Sequence, residues 1–124
     1  MKKLTQKFAL MTLVACLALP LNSMAEDEYL LSEATYKSLN AAQEKMEQQQ
    51  YRQAEADLKK LVGETDAGSY ERAVVLQTLG YLYSETEEYK LAAEQFEDAL
   101  ALNALPEDVT HNLRYNLAQL LISD

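Results

Sequence analysis

Residues 51–58 come back 38 positions later: Tyr51, Ala54 and Leu58 are answered by Tyr89, Ala92 and Phe96. The pair Leu79 and Gly80 recurs at the same interval as Leu117 and Ala118, and Ala41 and Ala42 precede it by that interval. A chain that repeats at this spacing is built from like units, each too small to bury its apolar face alone, so neighbours must stack to share a core. Within residues 73–102 the unit is clearest. Leu76, Leu79, Gly80 and Tyr83 fall on one helical face, and Tyr89, Ala92, Ala93, Phe96, Ala99 and Leu100 on another, at the three- and four-residue steps of amphipathic helices. Gly80 and Ala92 are expected to let the two helices approach closely, with Tyr83, Tyr89 and Phe96 filling the space beside them.

The pattern predicts five helices. The first spans about residues 32–49, capped by Ser32, with Tyr36, Leu39, Ala42 and Met46 on its apolar side. The second, about 51–62, carries Tyr51, Ala54, Leu58 and Leu61 and is expected to end at Gly63 in a left-handed conformation. Residues 65–69 form a turn with Ser69 as the next cap, and Thr86 is the expected cap between helices three and four. Pro106, Glu107 and Asp108 suit the start of a fifth helix bearing Val109, Leu113, Leu117, Leu120 and Leu121. Glycine and proline are scarce, and no alternating β-branched run predicts a strand.

The order Leu79, Gly80, Tyr83, Tyr89, Ala92, Phe96, Ala99 resembles the tetratricopeptide repeat, a helix-turn-helix unit of about 34 residues. The resemblance implies an all-α fold of antiparallel helix pairs in an α-solenoid, with repeat one at about residues 32–68, repeat two at 69–105 and a half repeat at 106–124. Departures are visible. Leu76 stands where the family favours tryptophan, Glu87 where it favours a turn glycine, and Lys45 where the first unit would carry an inward aromatic. In such solenoids the first helix of each pair lines a concave groove, which here implies Tyr36, Leu39, Gln43 and Met46, then Val74, Gln77 and Tyr81, then Asn112, Tyr115 and Gln119. Tyrosine and amide side chains suit an extended peptide or a partner helix. Members that grip a C-terminal carboxylate use basic and amide residues where this chain has Leu39, Gln77 and Tyr115, so that mode is not expected.

Residues 1–25 read differently. Lys2, Lys3 and Lys7 precede an apolar run, with Ser23 and Ala25 placed for a signal peptidase, and the run is shorter than the roughly 20 residues a membrane span needs. Export to the periplasm is expected, with cleavage after Ala25 and residues 26–124 forming the repeat domain. A rival reading takes residues 13–16, LVAC, as a lipoprotein signal acylated at Cys16 and anchored at the outer membrane. After Ala25 there are eight basic and 20 acidic residues, a formal charge of −12, which disfavours nucleic acid and anionic lipid as partners.

A protein partner is expected instead. One histidine, His111, and no cysteine follow Ala25, so no catalytic residue, cofactor or metal site is expected and the chain is read as a non-enzymatic scaffold. Helix five would present an apolar face, so the chain is expected to start a longer repeat array, with self-association through that face as an alternative. The segments LNAAQ at 39–43 and VLQTLGY at 75–81 resemble periplasmic repeat proteins found with TonB-type energy-transducing systems of Gram-negative bacteria, which implies an accessory of such a system.

Overall fold

Ser32 and Ser69, each with an extended backbone conformation, start a helix. Their hydroxyls accept hydrogen bonds from the backbone N–H groups of Thr35 at 3.2 Å and Arg72 at 3.1 Å, satisfying donors that a helix start leaves unpaired. The computed structural model describes residues 29–123, and the described residues contain five helices and no strand: α1 (Glu33–Glu47), α2 (Tyr51–Glu64), α3 (Tyr70–Glu85), α4 (Tyr89–Ala101) and α5 (Glu107–Ser123). The fold is all-α, as the periodicity predicts. The expected signal segment, with Cys16 in it, lies outside the described residues.

The turns inside the two helix pairs are the same turn, 38 residues apart. After α1, the N–H groups of Gln48, Gln49 and Gln50 donate to the carbonyls of Glu44, Met46 and Lys45; after α3, those of Thr86, Glu87 and Glu88 donate to Leu82, Ser84 and Tyr83. The last two bonds of each set define a Schellman motif, which needs a left-handed residue after the C-cap. Gln49 and Glu87 supply it, at φ 61° and 62°.

Three sequence expectations are corrected here. Gly63 is helical rather than left-handed, and α2 runs one residue past it. The reason lies in α3: the Arg72 guanidinium donates to the carbonyls of Val62 and Thr65 and to the Thr65 hydroxyl, so α2 is closed from outside and needs no left-handed glycine. Gly68 takes the positive φ, 77°, in the following turn. Thr86 caps the end of α3 rather than the start of α4, its hydroxyl turning back to the carbonyls of Leu82 and Tyr83. Pro106 stands just before α5, where its carbonyl accepts the first bond, from Thr110 at 2.9 Å.

Each helix packs against the next in sequence, most extensively α3 against α4, and α1 also touches α3. α3 is therefore the centre, buried on several sides through Val75, Leu76, Leu79, Gly80, Leu82 and Tyr83. One apolar cluster joins it to Leu39, Ala42, Met46, Ala54, Leu58, Leu61 and Ala92; a second joins Leu76 to Phe96, Ala99 and Leu113. Gly80 does admit a close approach, but of a side chain: a β-carbon there would lie 2.2 Å from Phe96 Cε1.

Polar contacts fix how the helices meet. The Glu71 carboxylate, at the start of α3, accepts from the Ser32 backbone N–H and from the Thr35 hydroxyl, so α3 also caps α1. That backbone bond, foremost, holds the Glu71 carboxyl below the usual carboxylate range. Between α2 and α3 the buried Tyr83 hydroxyl donates to Glu55 at 2.6 Å, and Arg52 and Lys59 pair with the same carboxylate. The tyrosine bond is the main cause lowering the Glu55 pKa, while burial raises that of Tyr83.

Candidate binding groove

The helices α1, α3 and α5 present side chains in register because the period carries position 43 to 81 to 119, and 39 to 77 to 115. On α3 the Gln77 amide donates to the Tyr81 hydroxyl at 3.2 Å; on α5 the Gln119 amide donates to the Tyr115 hydroxyl at 2.8 Å. The two pairs occupy equivalent positions with their residues exchanged. Each is an exposed i, i+4 contact that links a tyrosine ring to a glutamine one turn away on its own helix.

Two clefts flank Tyr81. The first, of about 390 Å³, lies between α1 and α3 and is lined by Gln43, Met46, Glu47, Thr78, Tyr81 and Glu85. The second, of about 320 Å³, lies between α3 and α5 and is lined by Tyr81, Ser84, Asn116, Gln119 and Leu120, with Phe96 of α4 at its base. Tyr81 and Phe96 meet edge to face, ring centroids 5.3 Å apart, so the wall shared by the clefts is supported by the ring that fills the Gly80 notch.

Of the ten residues expected in the groove, Gln43, Met46, Tyr81 and Gln119 line these clefts. Leu39 is buried in the core and lines neither cleft, while Met46 is buried there and also lines the first cleft. Val74 also packs against that core. Gln77 acts through Tyr81, and Tyr115 through Gln119. Tyr36, Asn112 and Tyr115 are exposed and line neither cleft.

Residues missed in the sequence include Glu47, Thr78, Ser84, Glu85, Asn116 and Leu120. A signal for two of them exists: Glu47 and Glu85 are 38 residues apart and each follows a groove residue, Gln43 or Tyr81, by one helical turn. Glu85 instead reads in sequence as part of a solvated acidic turn.

His111 is exposed and lies 3.7 Å from Glu107 on its own helix. Among the described residues no group of three or more His, Cys, Asp or Glu side chains is placed to hold a metal ion, and no helix is long and apolar enough to cross a membrane. No known family matches this chain, and no curated protein or solved structure matches it.

Proposed function

We propose that this chain is an exported tetratricopeptide-like solenoid whose α1, α3 and α5 form a groove that holds a segment of another protein. The observation that carries the reading is the pair of clefts sharing Tyr81, because a rigid aromatic wall between two openings suits consecutive side chains of one partner segment. The matching turns of the two helix pairs, 38 residues apart, support the solenoid. Packed helices hold the groove in place before binding, so ordering falls mostly on the partner. The expected compartment is the periplasm, and the resemblance of residues 39–43 and 75–81 suggests work beside a TonB-type system.

The test is capture from periplasmic and membrane extracts with the tagged chain beginning at residue 26, using Tyr81→Ala/Tyr115→Ala as control. An energy-transducing complex recovered by the parent chain and lost in the control supports the reading. Recovery of the chain alone sinks it and turns attention to self-association through α5, where Leu121 and Ile122 are exposed.

A further inference from the structure

The two clefts differ in charge. The α1–α3 cleft is walled by Glu47 and Glu85, and no basic side chain lines it. Neither carboxylate takes part in an ion pair among the described residues, so a cation entering the cleft displaces no existing partner. The cations of α1 are engaged elsewhere, Lys37 with Glu33 and Lys45 with Asp57 of α2. The α3–α5 cleft holds no charged group: an aromatic pair and Leu120 face Ser84, Asn116 and Gln119.

We propose, resting on the groove reading above, that the partner segment is extended and cationic. A lysine or arginine enters the α1–α3 cleft, and an apolar side chain two residues away enters the α3–α5 cleft. The aliphatic stem of the basic residue lies along Met46 and the face of Tyr81, with its charged head between Glu47 and Glu85 and the Gln43 amide beside it. Alternate side chains of an extended segment share one face about 6.6 Å apart, so residues two apart can point into openings that lie on the same side of the segment. The surplus of acidic residues draws such a segment in from a distance and repels acidic competitors.

The experiment is selection of a random octapeptide display library on the full chain, purified as its cell produces it. Enriched peptides are expected to carry Lys or Arg two positions from an apolar residue. A synthetic copy with norleucine in place of the cation should bind about tenfold more weakly, as should the parent peptide on Glu47→Gln/Glu85→Gln. Both carboxylates are exposed, so that variant should keep its helical circular dichroism and melt no lower than the parent. Enriched peptides without a cation, or full affinity on the glutamine variant, overturn the cationic occupant. If those peptides still lose affinity on Tyr81→Ala, the groove itself stands. No enrichment at all overturns both.

Discussion

The helix pairs α1–α2 and α3–α4 share a turn bond for bond, yet they fill the space between their helices differently. Where the second pair sets Gly80 against Phe96, the equivalent positions of the first hold Ala42 and Leu58, all of them buried. A methyl group is lost on one side and a larger, aromatic side chain replaces leucine on the other. The joints between pairs diverge further. Glu71 and Arg72 tie α3 to α1 and α2, while the next unit has Val109 and Thr110 at those places, and the Thr110 hydroxyl makes only a 3.4 Å bond to the Leu105 carbonyl. The repeat is therefore kept in backbone turns and apolar positions, while volume and charge are traded locally.

The largest effect should come from breaking the volume trade. Gly80→Leu should cost about 3 kcal/mol or more, because a side chain there overlaps the buried Phe96 ring. Gly80→Ala should cost about 2 kcal/mol even after the helix-propensity gain. Adding Phe96→Leu should recover part of that loss, since the double variant reproduces the first pair. Urea unfolding of the four-member cycle measures the coupling. Simple additivity would show that the two positions are not interchangeable. The mirror change Ala42→Gly should cost only about 1 kcal/mol.

Arg72 tests the joints. Arg72→Ala leaves the Val62 and Thr65 carbonyls at the end of α2 without their charged donor, at a cost of about 2 kcal/mol. Thr110→Ala, at the equivalent place, should cost well under half of that. Equal losses in thermal melts would mean that Arg72 is replaceable by water.

Acid should act on the same side of the molecule. The carboxyls of Glu55 and Glu71 are held below their ordinary value of 4.5 in the folded chain. The unfolded chain therefore takes up protons first. The stability they contribute is complete above that value and is lost as pH falls through and below it. Glu71→Gln should lower stability at pH 7 by about 1 kcal/mol and flatten the acid limb of urea midpoints measured from pH 7 to 3. An unchanged limb would remove Glu71 from the link between α1 and α3.

The helices, both serine caps and most of the core were legible because they depend on local chemistry and on a period that repeats. Glu87, marked in sequence as a place for glycine, does take a left-handed φ. Gly63 misled because the partner that closes α2, Arg72, reaches back from the next helix. Leu39 and Met46, on the apolar side of the first helix, are buried as the periodicity predicts, and Met46 also lines the first cleft. Glu47 and Glu85 are not marked as groove residues by the sequence, since a carboxylate near a turn has the same pattern whether it faces solvent or a cleft.

The smallest effects probe the shared turn. Gln49 and Glu87 each hold a non-glycine residue at a φ near 60°, where a β-carbon costs about 1 kcal/mol. Gln49→Gly and Glu87→Gly should each raise stability by up to that amount. Glu87→Gly should gain a few tenths more, because it also removes a negative charge from beside Glu85 and Glu88. That excess is electrostatic and exposed, so raising the salt to about 0.5 M should erase it while leaving the conformational gain in both variants. A difference that survives salt would mean the two turns are not energetically the same, despite sharing every backbone bond.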